Sequence, residues 1–411
     1  MSVSFPSLPW PPVHSTYPGC AVLLALAVAS PMGLAQAPAT TAATDGGNAA
    51  PAQRVTVAAT RDPVDKSYRK MIAGMDRFER LKALAPQATL RFQLLPRLPD
   101  TALDGITLRV AGDSVSLPVT VAPDHTFTLP RDARALAEDA ALIASRKTST
   151  LTWRAQVRSP GVPAGMRRLG DLRLECQVGV TAGLLSNNAR LFAWLGELLT
   201  DPDRVCGSAD GNYLLFAERP LFGVTLHYGS RSEALPFALL YAGGTQTPAT
   251  LPFCDCQVLL DRSYYAPLWD KSWPDDTLLS FDDLAQPSPG TPASPGADAA
   301  FATPAMTADT SADAGDAGAG RVALAPGYRD TAGVRARLGA PATELRFDSG
   351  WQVWRYRYPA QAADGKAGAM AAAPARGQPP PLADFVIGFD ADGIARKARL
   401  TDPVNSRSTP P

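Results

Sequence analysis

Seven aspartates crowd residues 255–283: Asp255, Asp261, Asp270, Asp275, Asp276, Asp282 and Asp283. Carboxylates in pairs can divide acid and base work in glycoside hydrolysis, or hold calcium. Solvated loop acids ahead of a linker are the plainer reading and the one expected here. His125 lies in a Pro-Asp-His turn, and His227 alternates with Leu226 and Tyr228 on a strand pattern. Either imidazole has the chemistry of a general base, but no Ser motif of the type G-x-S-x-G accompanies them. Asp390-Ala391-Asp392-Gly393 echoes part of a calcium loop, yet the twelfth position counted from Gly388 is Arg399, where an EF-hand needs Glu. No catalytic, cofactor-binding or metal-ligating residue is assigned on these grounds, and no cofactor is expected.

Cysteines and aromatics give firmer expectations. Beyond an apolar leader the chain has Cys176, Cys206, Cys254 and Cys256. An even number in an exported chain fits disulfides, with three pairings open. A zinc site would need ligands at finger-like spacing, and there is no C-x₂-C and no nearby His. Residues 264–274, YYAPLWDKSWP, concentrate Tyr264, Tyr265, Trp269 and Trp273 with two prolines. Aromatics on a stiff loop can anchor a protein partner or stack on a sugar. Core filling is the favoured role; if any surface recognises a ligand, this quartet is the first place to look.

These groups must be carried by a folded chain in some compartment. Of 411 residues, 45% are hydrophobic and 19% charged, which is a globular composition. Residues 20–34 form an apolar run interrupted by Pro31 and followed by Ala35-Gln36-Ala37, the pattern of a secretory signal peptide cut after Ala37 or Ala39. The run is too short for a membrane span, and Cys20 stands at its start where an acylated Cys would follow it, so no lipid anchor is evident. A periplasmic location is expected, with membrane contact left open. Basic and acidic residues number 39 each, which gives no footprint for nucleic acid.

Periodicity then divides the chain. Tyr68, Met71, Ile72, Met75 and Phe78 recur at helical spacing from about Asp65 to Pro86. From Thr89 the period drops to two: Leu90 and Phe92; Ile106, Leu108 and Val110; Val115 to Val121; Phe127 and Leu129. A helix is expected at 131–146, then strands through Trp153, Ala155 and Val157 and through Leu172, Leu174, Cys176, Val178 and Val180. Residues 189–199 read as an amphipathic helix, and Tyr213–Ala217, Val224–Tyr228, Leu235–Tyr241 and Cys254–Leu260 as strands. Close alternating strands argue an antiparallel, sandwich-like unit with one wet face.

The last ninety residues carry a further pattern: Pro326-Gly327, then Val334, then Leu338-Gly339-Ala340-Pro341, then Trp354-Arg355-Tyr356, and finally Phe389 with Gly393. Val334 and Leu338 share a helix face, Gly339 suits a left-handed cap, and Pro341 prevents further helix. This stretch resembles the SmpA/OmlA (BamE-like) domain of small outer-membrane assembly lipoproteins. The resemblance implies helices on a three-stranded antiparallel sheet and a bias toward envelope protein–protein contact. It implies no catalytic residue. The motif positions Gly327, Val334, Leu338, Gly339, Pro341, Trp354, Tyr356, Phe389 and Gly393 carry over as structural ones.

The expected class is therefore α+β, organised as a signal peptide (1–39), a tether (40–60), a β-rich region (61–284), a low-complexity linker (285–320), a BamE-like domain (321–401) with a flexible insert (360–381), and a tail (402–411). The β-rich region is one composite domain or two, divided near 181. Residues 61–180 carry 19 basic and 13 acidic groups, net +6, and residues 181–290 carry 6 and 13, net −7, so the two halves are expected to dock. The expected function is an exported, non-enzymatic envelope protein acting on envelope protein partners. An envelope hydrolase acting on polymer through the carboxylates of 255–283 is the alternative.

Overall fold

The computed structural model describes residue 60 and residues 62–184, 201–209, 213–244, 258–284, 319–321, 328–359 and 382–401. The signal peptide, nearly all of the tether, the helix expected at 189–199, Cys254 to Gln257, Gly327, the insert and the tail lie outside these residues, as does the linker up to residue 318. Residues Ala58–Pro411 form one compact unit. The described residues are sheet-rich with few helices, and every strand pairing is antiparallel.

The chain opens with β1 (Pro63–Ser67) and α1 (Tyr68–Arg80). Asp65, expected to start the helix, instead pairs with Ile143 in a sheet, and the Ser67 hydroxyl accepts from the Lys70 N–H to cap α1. Tyr68, Met71, Ile72 and Phe78 are buried, so the helical spacing marks the core face. Then come β2 (Thr89–Pro96), β3 (Leu108–Ala111), β4 (Ser116–Val119), β5 (Thr126–Phe127), α2 (Ala133–Ala137), β6 (Ala141–Lys147) and β7 (Leu151–Arg158). The helix expected at 131–146 is only α2. Asp139 adopts a positive φ of 52°, which ends it, and Ala141–Lys147 is captured between β1 and β3. Sheets β1-β6-β3-β4 and β5-β2-β7 share one core with α1, including Val64, Phe92, Val110, Phe127, Leu142 and Trp153.

After β8 (Met166–Arg168) comes the element that differs most from expectation. Residues 172–180 are not a strand; they lie in α3 (Leu169–Thr181), a helix whose residues Leu169 to Val180 are all buried. Leu174 and Val178 face the first core, while Leu169, Leu172, Cys176 and Val180 face a second. With both sides apolar the sequence alternates as a strand does, and only packing reveals the helix. Residue 181, the suggested boundary, is the last of α3.

Burying α3 requires an answer for each of its polar side chains. Asp171 accepts from the N–H and hydroxyl of Ser159 at 2.8 and 2.6 Å. Arg173 donates to the carbonyls of Leu268, Asp270 and Trp273 and pairs with Asp275 at 2.5 Å. Glu175 accepts from the Val157 N–H at 3.0 Å and from Arg167 at 2.7 Å. Gln177 accepts from Arg77 at 2.7 Å and donates to Asp203 at 3.2 Å. Gly74 of α1 approaches α3 so closely that a Cβ there would sit 2.8 Å from that of Ala182.

The short helix α4 (Pro202–Gly207) is held to α3 by the Cys176–Cys206 pair, which is at disulfide distance with Cα atoms 5.9 Å apart. Next are β9 (Leu215–Phe216), β10 (Leu221–Tyr228), β11 (Arg231–Ala234), β12 (Ser263–Tyr264) and β13 (Leu278–Asp283). Instead of the strand expected at Leu235–Tyr241 there are two short 3₁₀ turns, Phe237–Leu239 and Tyr241–Gly243, entered through Pro236, which lacks an N–H for a ladder. Val258 and Leu259, at the end of another expected strand, form a turn before a further 3₁₀ turn, Leu260–Arg262. The second sheet runs β11-β10-β13-β8, with β12-β9 a separate pair.

Opposite charges meet across the two halves: Arg77 pairs with Asp203, Arg158 with Glu218, and Arg173 with Asp275. Arg154, expected on a wet strand face, is buried between the rings of Tyr213 and Phe216, 4.9 Å from each centroid. That side of β7 is dry because α3 and the β9 segment cover it.

The final sheet runs β14-β18-β17-β16-β15: β14 (Ala319–Arg321), β15 (Thr343–Arg346), β16 (Gln352–Pro359), β17 (Leu382–Phe389) and β18 (Ala395–Thr401), with α5 (Thr331–Leu338) before β15. It has five strands where the resemblance implies three, and Ala319 and Gly320, placed by sequence in the linker, belong to β14. Val334 of α5 packs on Trp354, Tyr356, Ile387 and Phe389. The other face of the sheet sends Leu345, Val353 and Val386 into the second core with Leu169 and Leu172.

Replacing Glu175 with Ala should cost about 3–5 kcal/mol, because Arg167 loses its buried counter-charge and the Val157 N–H its acceptor. Urea unfolding of Glu175→Ala beside Arg158→Ala, whose pair with Glu218 is more exposed, measures this; equal small losses would contradict it.

Candidate functional site

The aromatic quartet does not form an exposed surface. Tyr264 and Trp273 are buried at 0% and 2%, and Tyr265 and Trp269 are half-buried. Tyr264 packs edge-on against Phe281, and Arg231 stacks on Trp273 at 3.4 Å. Burial pushes the Tyr264 phenol well above its ordinary pKa, and Tyr213 rises to about 12 for the same reason. The two prolines and Arg173, which ties down three carbonyls of this loop, turn the rings inward.

The aspartates are held apart on separate partners. Asp275 pairs with Arg173, Asp282 with the buried Lys397, and Asp283 with Arg219 at 3.3 Å. Asp270 accepts from the Ser272 N–H, while Asp276 is exposed. Asp255 lies outside the described residues. Asp261 is different: it is 1% exposed and neither oxygen makes a hydrogen bond. Burial pushes its pKa up, against the opposing charge of Arg262, whose Nε lies 3.6 Å away. Among the described residues no three His, Cys, Asp or Glu are grouped to hold a metal ion.

His125 sits in a turn at φ 60°, with Nε2 3.0 Å from Asp104. His227 bridges two hydroxyls across strands, Nε2 to Ser280 at 2.8 Å and Nδ1 to Ser232 at 3.2 Å. A Ser–His contact of that length is the start of a nucleophile. Ser280, however, lies mid-strand between β10 and β8, so the sharp turn that exposes a nucleophile and its oxyanion donors is missing there.

Among the motif residues of the last domain, all but Gly327 are described. Gly339 follows α5 at φ 76° and Gly393 occupies its turn at φ 74°. Val334, Trp354, Tyr356 and Phe389 are buried with Leu338 packed against them, while Pro341 is half-buried. On the opposite face, Arg399 is buried over Phe222, and Arg355 lies 4.5 Å over Phe237 and 3.8 Å from Asp384.

The concavity that sequence reasoning missed lies in the first core. A groove of about 500 Å³ opens between α1 and β2. Met75 and Phe78 form its α1 wall, Leu90 and Phe92 come from β2, and Leu129 closes the far side. It exists because β5 pairs with β2 only at Phe92 and Gln93, after which the chain at Thr128–Arg131 diverges. Lys82 and Arg131 stand on its rim, half-exposed, paired with Glu79 at 3.6 Å and Asp76 at 2.7 Å. The alternation of Leu90 and Phe92 signalled a strand, but nothing local shows where its partner leaves it. Apolar, open and without converging acids or bases, the groove suits binding better than chemistry.

No helix among the described residues is long and apolar enough to cross a membrane. Comparison with protein-family models, with curated proteins and with solved structures found no match.

Asp261→Asn should raise the melting temperature by a few degrees at pH 7. A folded-state pKa raised by burial contributes stability at low pH that is lost as pH rises through it, so the gain should shrink toward pH 4. Thermal melts across that range check it; a gain that grows on acidification would contradict the account.

Proposed function

We propose that this chain is an exported, periplasmic envelope protein that acts by binding other proteins and catalyses no reaction. The observation that carries this reading is the open apolar groove between α1 and β2; of the acidic stretch, Asp275, Asp282 and Asp283 are taken up by pairs with Arg173, Lys397 and Arg219. Export rests on the leader at 20–37 and is compatible with the Cys176–Cys206 pair, since disulfides persist in oxidising compartments. The last domain is read as BamE-like, supported by α5 capped at Gly339, Trp354 and Tyr356 on one strand face, and the hairpin at Asp392-Gly393. The alternative, a polymer-acting hydrolase, draws on Asp261 as a buried, unbonded carboxyl; the other described carboxylates of that stretch have separate partners or face solvent.

The test is fractionation of a Gram-negative host expressing the full chain with a photoreactive residue at Thr128, on the groove. The mature protein should be periplasmic, start at Pro38 or Thr40, and give discrete crosslinked species that Met75→Glu abolishes. Retention of the leader in the cytoplasm, or crosslinks indifferent to Met75→Glu, would overturn the proposal.

A further inference from the structure

The groove contains more than apolar side chains. Antiparallel pairs alternate between residues that exchange both backbone hydrogen bonds and residues that exchange none. The Leu94 N–H donates to the His125 carbonyl at 2.9 Å, so Leu94 and, two residues back, Phe92 direct their backbone groups toward β5. The same parity directs the N–H and C=O of Leu90 toward position 129. On the other side the parity agrees: Leu90 faces Val157 in β7, and the Val157 N–H is committed to Glu175 instead. Leu129 has left the ladder, and no backbone hydrogen bond joins it to Leu90. The groove floor thus holds a short open strand edge, flanked by an apolar trough.

An edge of this kind is a template for an added strand. Charge selects the class of strand. The cations Lys82 and Arg131 stand on the rim with one lining acid, Glu79, and the surrounding region 61–180 is net +6. Their pairs with Glu79 and Asp76 are exposed, and exposed pairs contribute little, so an incoming carboxylate can displace them. We infer that the groove binds a short extended segment of a partner protein by strand addition at Leu90, with an apolar side chain in the trough and a carboxylate at Lys82 or Arg131. This rests on the reading of the groove as a docking surface and adds the conformation and charge of what docks there.

The test titrates a synthetic peptide, Ac-DVTVTV-NH2, into the full mature chain and follows amide resonances. Two matched peptides accompany it, one N-methylated at alternate backbone nitrogens and one with Lys in place of its Asp. Shifts should centre on Leu90 and Leu129. N-methylation should weaken binding about tenfold through loss of backbone hydrogen bonds. The Lys peptide should bind more weakly to the native chain, and Lys82→Glu should narrow that preference. Binding indifferent to N-methylation, shifts away from Leu90, no binding by any of the three peptides, or self-association through the groove that the peptide does not compete with would each overturn strand addition. Groove-dependent crosslinks alongside such a result would leave the docking surface standing and remove only this mode of engagement.

Discussion

A helix buried from Leu169 to Val180 and carrying Asp171, Arg173, Glu175 and Gln177 is the constraint on which the rest of the structure depends. An unpaired charge or amide in such a place costs several kcal/mol, so every one must find its partner before the helix can be buried at all. The partners come from Ser159 after β7, Arg167 on β8, Arg77 on α1, and the loop 268–275. Segments far apart in sequence are thereby held to one helix. The Cys176–Cys206 pair adds a covalent tie on the same element.

Because α3 faces two cores, their stability is linked. Leu174 and Val178 belong to the α1 sandwich, whereas Leu172 and Cys176 belong to the core that also receives Val353 and Val386 of the last sheet. Tyr241 against Phe347 at 5.2 Å, and Lys397 on Asp282, complete that second junction. The last sheet, proposed above as BamE-like, is built into its neighbour. Its face opposite α5 holds the chain together through Leu345, Val353 and Val386. The groove at α1 borders the first of these cores, with Phe78, Phe92 and Leu129 belonging to both.

Much of this was legible in the residues. The spacing of Tyr68, Met71, Ile72 and Phe78 gave α1, and the alternation from Leu90 and from Leu108 gave β2 and β3, because each has one buried side. Where both sides are buried the signal fails: Leu172 to Val180 alternates like a strand and is helical. Ala141–Lys147 has the composition of a helix and is taken into a sheet by neighbours on both sides. Tyr264 and Trp273 suited the core better than the surface, and the loop tied down by Arg173 turns them inward. Three cysteine pairings were open until α3 and α4 came together. The groove was beyond reach, since it arises where two chain segments part.

Native-state hydrogen exchange in rising urea addresses the central claim directly. If α3 couples the two cores, amides of Leu172–Val180, Trp153–Val157 and Val386–Ile387 should converge on one unfolding free energy, the global one. Exchange of the α3 amides through a separate opening of lower energy, with either core still protected, would contradict it.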